Sequence, residues 1–105
     1  MSEHRLELEC LNGPWDGHRI EITEESVDWR CTAPGPLAFP WDTELDDPQA
    51  RLSWKDGVWV LEHLGHRHGT YCVNAEGLKD ETRFPLEPGM ILKASYIWLK
   101  VVTAE

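Results

Sequence analysis

LEHLGHRHGTYCVN, residues 61–74, lies between two strand signals and carries much of the chain's polar loop chemistry. Just before it, WKDGVWV (residues 54–60) sets Asp56-Gly57 between two apolar runs. Asp-Gly suits a two-residue primed turn, because both central residues can take positive φ. A hairpin is therefore predicted there, its second strand running through about residues 58–64. A polar, glycine-centred loop follows, and the chain becomes extended again at Tyr71. A loop carrying His66, Arg67, His68 and Thr70 between two strands is where a β-domain places binding groups.

Period-2 alternation spreads outward from this stretch. Leu6, Leu8 and Cys10 alternate with Glu7 and Glu9, the pattern of a half-buried strand over residues 5–11. Asn12-Gly13-Pro14-Trp15-Asp16-Gly17 is a turn. Residues 18–23 alternate through Ile20 and Ile22, and Val27, Trp29 and Cys31 give a third alternation. Residues 32–47 are irregular, with Pro34, Pro36 and Pro40, and proline cannot donate to a central ladder. A short strand is expected near residues 37–39. Further strands are predicted at 51–54, 58–61, 71–73, 84–86, 90–94 and 96–102, with a turn at Glu87-Pro88-Gly89. Residues 76–82 offer the sole helical segment, and Gly77 makes it a poor one. Only the extreme ends look free to fray. About ten short strands with frequent turns imply an all-β sandwich or barrel. The 105 residues fit one domain over residues 1–105.

Net charge is −9, which argues against a nucleic-acid backbone or an anionic membrane surface as partner. Cys10, Cys31 and Cys72 are odd in number and form no CxxC pair, so a reducing, cytoplasmic setting is expected rather than a disulfide framework. The N-terminus MSEHRLELEC has no apolar signal-peptide core, and no window approaches the ~18 apolar residues of a transmembrane helix. The chain could still be one module of a larger membrane or multidomain protein. No GxSxG, HExxH or glycine-rich phosphate loop occurs, so neither an enzyme nor a cofactor site is assigned.

His63, His66 and His68 form HxxHxH, and imidazoles suit Zn or Ni when three or four ligands converge. In an extended chain His66 and His68 share a side and His63 points the other way, with Cys72 as a further thiolate. Loop histidines bonded to backbone are the simpler reading, and no metal site is assigned. Of the six tryptophans, Trp29, Trp54 and Trp59 lie in strand patterns and read as core. Trp15 and Trp41 lie in loops and are the better candidates for exposure, either as an interface anchor or as a sugar-stacking platform.

The order of these pieces resembles a forkhead-associated (FHA) domain along nearly the whole chain. The matching pieces are Leu11-Asn12-Gly13-Pro14, Trp29-Arg30, Gln49-Ala50-Arg51-Leu52 and Trp59-Val60-Leu61-Glu62-His63-Leu64-Gly65. They continue with Gly69-Thr70-Tyr71, Val73-Asn74 and the Leu86-x-Pro88-Gly89 turn before Ile91. The resemblance implies an FHA-type β-sandwich of about 10–11 mostly antiparallel strands, whose loops at one end bind phosphothreonine peptides.

The resemblance also places a site. Arg30 stands where the family's phosphate-holding arginine follows a glycine, although Trp29 replaces that glycine. An arginine fork gives bidentate, charge-assisted bonds to phosphate. Asp46 and Gln49 align with the family's phosphate-binding serine and loop-ordering histidine, and Asp47 follows Asp46. His66 and His68 replace a serine and a peptide-holding asparagine, with Arg67 between them. Gly69 and Thr70 are retained as loop scaffold, Val73-Asn74 follows, and Cys72 looks like a one-residue insertion that invites a bulge.

Asp42, Glu44, Asp46 and Asp47 put four carboxylates in a six-residue window of the loop expected to face the phosphate. Two like charges about 4 Å apart repel by about 4 kcal/mol at an effective dielectric near 20. A charge-assisted hydrogen bond returns only about 1.5–3 kcal/mol. The expected function is thus a protein–protein interaction module with a degenerate phosphothreonine site at Arg30, Asp46, Asp47, Arg67 and His68, supported by Gln49, His66, Gly69, Thr70 and Asn74. An acidic loop suits a basic or unphosphorylated partner better than a phosphopeptide. Arg30 would then pair with Asp28 or Asp46. The alternative is a working phosphothreonine reader in Ser/Thr-kinase signalling that uses Arg30 and Arg67, with histidine donors that strengthen binding toward pH 6. Metal- or sugar-binding β-domains are further readings. Eroded sites of this kind fit bacterial secretion and signalling proteins.

Overall fold

The computed structural model describes residues 4–32, 34–78 and 81–105. Nine strands occur among them: β1 (Leu6–Cys10), β2 (Arg19–Ile22), β3 (Ser26–Trp29), β4 (Ala50–Lys55), β5 (Val58–His63), β6 (Thr70–Cys72), β7 (Arg83–Pro85), β8 (Ile91–Ala94) and β9 (Ile97–Ala104). They form two antiparallel sheets, β2-β1-β9-β8-β6 and β3-β4-β5-β7.

Alternation decides which side chains meet between the sheets. Leu6, Leu8 and Cys10 of β1, Leu92 and Ala94 of β8, and Ile97, Leu99 and Val101 of β9 are buried on one side. Trp29, Leu52, Trp59, Leu61 and Phe84 are buried on the other, and all belong to one core cluster. The hairpin is built as its sequence dictates. Lys55 pairs with Val58 across Asp56 (φ 52°) and Gly57 (φ 82°), the left-handed pair of a primed turn.

Several local expectations change. The segment expected as a strand near 37–39 is an isolated parallel bridge, Arg30 to Ala38, within a proline-rich path that cannot sustain a ladder. The helical possibility at 76–82 shortens to a 3-10 turn at Glu76–Leu78, its residues 79–80 lying outside the described set. The expected fraying at residues 1–3 also lies outside it. No bulge forms at Cys72: Thr70, Tyr71 and Cys72 pair in regular register with Ala94, Lys93 and Leu92. A register shift occurs instead at Glu7/Leu8 opposite β9.

Trp15 and Trp41 are not free platforms. Both are half-buried against the core, and Trp15 packs 5.3 Å from the Phe39 ring. The Trp41 indole lies so close over Gly13 that a Cβ there would sit 2.6 Å from it, which leaves room only for glycine. No helix among the described residues is long and apolar enough to cross a membrane.

Candidate functional site

Gln49 organises one end of the sandwich, just before β4. Its backbone N–H donates to Trp29 O at the end of β3 (2.8 Å), and its carbonyl accepts from Leu64 and Gly65 N–H (both 3.0 Å) beyond β5. Its side chain, fully buried, accepts at Oε1 from Asp46 N–H (3.1 Å). Its Nε2 donates to His68 O (2.8 Å) and Thr70 Oγ1 (3.1 Å). Thr70 Oγ1 also lies 2.9 Å from His63 Nδ1. One amide thus draws together the loop after β3, the turn before β4 and the loop 64–69. Gly65 permits this approach, since a Cβ there would come within 2.9 Å of Asp46 Oδ2 and Gln49 Oε1. The Tyr71 ring folds over Gly69, so a Cβ there would displace the end of that exposed side chain.

Asp46 serves the same loop. Its carboxylate accepts from His66 N–H, from Arg67 N–H (2.9 Å) and from Arg67 Nε (2.9 Å). The Arg67 guanidinium also donates to Leu45 O at 2.8 Å and lies 3.7 Å from Glu44. His68 Nε2 stands 3.5 Å from Glu44, an ion pair when the imidazole is protonated. Arg30 takes Asp47 instead, with Nε 3.1 Å from Oδ1. Thr32 Oγ1 donates to the other Asp47 oxygen and lies 3.4 Å from Arg30 Nη2. The peptide bond between Asp47 and Pro48 is cis. A groove of about 470 Å³ opens beside Arg30, walled by Asp28, Arg51, Pro34 and Pro36.

These contacts set the charge states. The backbone N–H of Arg67 and that of His66, then the Arg67 guanidinium, hold the Asp46 carboxyl well below the usual carboxylate range. Burial pushes Asp47 up, but hydrogen bonds from Thr32 and Arg30 outweigh it and leave that group lowered as well. Both folded values lie below the unfolded value of 3.8. Their stabilisation is therefore fully present above about pH 4 and is lost as pH falls through the folded values. Urea midpoints measured from pH 6 down to pH 2 should fall, and Asp46→Asn should flatten that fall. An unchanged slope in the variant would contradict the role assigned to Asp46.

Arg30, Asp46, Asp47, Arg67 and His68 thus lie on segments that meet at one end, with Gln49, His66, Gly69 and Thr70 beneath or beside them. Asn74 lies at a separate turn: its Nδ2 donates to Gly89 O and its Oδ1 accepts from Ile91 N–H, both at 2.9 Å. The pairing of Arg30 differs from expectation. Asp28 is held by Arg51 across the β3–β4 ladder at 2.8 Å, and Asp46 is held by Arg67, which leaves Asp47 as the partner. Asp42 does not join an acidic face. It is buried, and its carboxylate accepts from Glu44 N–H, Ser95 Oγ and Tyr96 N–H, fixing the β8–β9 turn. Thr32 was not singled out by the sequence, and its only signal is a hydroxyl two residues beyond Arg30. Among the described residues no group of three or more His, Cys, Asp and Glu side chains is arranged to hold a metal.

Solved structures share this architecture. An FHA domain of an Arabidopsis thaliana hypothetical protein superposes with a TM-score of 0.79 at 23% identity, covering 100% of this chain and 92% of its own. The chain has the FHA fold. A second FHA domain, from structural and functional analysis of phosphothreonine-dependent FHA interactions, gives a TM-score of 0.76 at 19% identity, covering 94% of this chain and 96% of its own. The FhaA FHA domain, complexed with the intracellular domain of Rv3910, gives 0.74 at 20% identity, covering 91% and 98%. No family model and no curated protein sequence matches the chain. The FHA fold is therefore carried by a divergent sequence.

Proposed function

We propose that this chain is a non-catalytic protein–protein interaction module of FHA type whose phosphothreonine site is occupied by the chain's own carboxylates. One observation carries the reading: Arg30 and Arg67, the two cations a phosphate would need, each already hold an aspartate at 3.1 and 2.9 Å. Counting Glu44, Asp46 and Asp47 against Arg30 and Arg67, the loop end has one more negative than positive group. That balance favours an uncharged or basic peptide over a phosphodianion. The complex formed by the FhaA FHA domain supports a protein partner for this chain. The three free cysteines, Cys10, Cys31 and Cys72, support a reducing cytoplasm.

A second reading, a working phosphothreonine reader, draws on the exposure of the same arginines: their side chains are 37% and 49% accessible, so a phosphate can reach them. Titration of a phosphothreonine peptide library against its unphosphorylated twin separates the two. The proposed reading expects the unphosphorylated set to bind at least as tightly as the phosphorylated one at pH 7. Tight binding of the phosphorylated set alone, abolished in Arg30→Ala, would establish the second reading instead.

A further inference from the structure

The outer face of the five-stranded sheet carries features that the loop end does not use. Tyr71 and Val73 are 46% and 45% exposed on and just beyond β6, and Tyr96 is 63% exposed at the β8–β9 turn. The register places Lys93 between Tyr71 on one side and Trp98 on the other, with Ile91 on the same face of β8. Burial of Leu92, Ala94, Ile97 and Leu99 sends these alternate residues outward.

Two further observations give this face its chemistry. In a chain of net charge −9, Arg5, Arg19, Arg30, Arg51 and Arg67 all lie within reach of a carboxylate. Among the described residues Lys55, Arg83, Lys93 and Lys100 have none within 4.0 Å; Arg83 and Lys100 still stand in register opposite Glu62 and Glu9, whereas Lys93 faces Tyr71 and Trp98. The backbone that carries the most exposed aromatic is held at three points. Tyr96 N–H donates to buried Asp42 (3.0 Å), Tyr96 O accepts from Asn12 Nδ2 (2.6 Å), and Trp98 N–H donates to Asn12 Oδ1 (3.0 Å). Exposed aromatics beside a cation with no carboxylate within 4.0 Å are the composition of an interface centre, and a fixed backbone leaves only side-chain freedom to be lost on contact.

We infer that the outer face of β6, β8 and β9, centred on Lys93 between Tyr71 and Trp98, docks an acidic segment of a partner protein bearing aliphatic or aromatic side chains. Local charge selects this occupant over a second copy of the chain, since a two-fold contact centred on Lys93 would set Lys93 and Lys100 against the same lysines of the copy. The apolar side chains of the segment cover Tyr71, Val73 and Tyr96, and its carboxylates meet Lys93 and Lys100. The surface adjoins the loop end through Tyr71, whose ring lies over Gly69, but it uses none of Arg30, Asp46, Asp47 and Arg67, so it stands or falls independently of the phosphate question.

The test uses the ¹⁵N-labelled full chain and two synthetic peptides, one alternating glutamate with leucine and tryptophan, the other with lysine in place of each glutamate. The acidic peptide should shift the amides of Tyr71, Ile91, Lys93, Tyr96 and the Trp98 indole, leaving those of Arg30 and Arg67 in place. Lys93→Glu, with fold checked by circular dichroism, should weaken it roughly tenfold. Tyr96→Ala should weaken it without altering its salt dependence. Equal shifts with the lysine peptide, shifts confined to the loop end, or the same shifts on concentrating the protein alone would each overturn the inference. The last of these would name a second copy as the occupant.

Discussion

Replacing Gln49 with alanine is expected to lower the unfolding free energy by about 4 kcal/mol, the largest effect of any polar substitution in the chain. Three partners lose their bond: Asp46 N–H, His68 O and Thr70 Oγ1. Each bond contributes about 1 kcal/mol net, and a buried group left unpaired costs more than the bond it lost. A cavity at a fully buried position adds its own cost. Urea unfolding should show a lower midpoint with an unchanged slope, since the core sheets stay intact. Amide exchange of residues 64–69 should accelerate more than that of β8 and β9, because the loop depends on Gln49 and those strands do not. Arg83→Ala, at an exposed strand position, is the control expected to leave the midpoint within about 0.5 kcal/mol. A loss below about 1 kcal/mol for Gln49→Ala would mean that the loop end is held mainly by other contacts.

That prediction also marks where sequence reasoning is strong and where it stops. Leu6, Leu8 and Cys10, or Asp56 and Gly57, act through their own backbone geometry, so alternation and turn chemistry locate β1 and the β4–β5 hairpin directly. Gln49 is recognisable as a loop organiser only by its place in the resemblance, since nothing local to a glutamine says that it will bond His68 and Thr70 about twenty residues on. The partner of Arg30 is harder still. Asp28, Asp46 and Asp47 are equivalent as charges, and the choice follows from strand register. The β3–β4 ladder puts Arg51 opposite Asp28, and the 64–69 loop brings Arg67 to Asp46. The acidic window fails for a related reason: Asp42 turns inward to the β8–β9 turn, whose position is fixed fifty residues later. Trp15 and Trp41 look exposed because they sit in loops, yet a loop that crosses the end of a sandwich can lay an indole on its core.

Changing Asp47 to serine is expected to increase affinity for a phosphothreonine peptide by roughly 10–100-fold, the largest expected effect on binding. In the native chain a phosphate approaching Arg30 must displace a carboxylate and then lie beside it. The displaced charge-assisted bond is worth about 1.5–3 kcal/mol, which converts to that range of affinity. Serine removes the competing charge and leaves Arg30 and Thr32 free to donate to a phosphate oxygen. Asp46→Ser should do the opposite. Asp46 caps the N–H groups of His66 and Arg67, so its loss loosens the loop that presents Arg67 and should weaken any peptide binding. The two aspartates are adjacent and chemically identical, so the contrast tests geometry rather than net charge. Fluorescence anisotropy at low salt reads both variants, since screening would mask the difference at high ionic strength. The Arg30→Ala, Asp47→Ser double variant should fall back to the native affinity, because the gain requires the freed guanidinium. If Asp47→Ser and Asp46→Ser changed phosphopeptide affinity equally, the effect would be one of overall charge, and Asp47 would not be the group that fills the phosphate position.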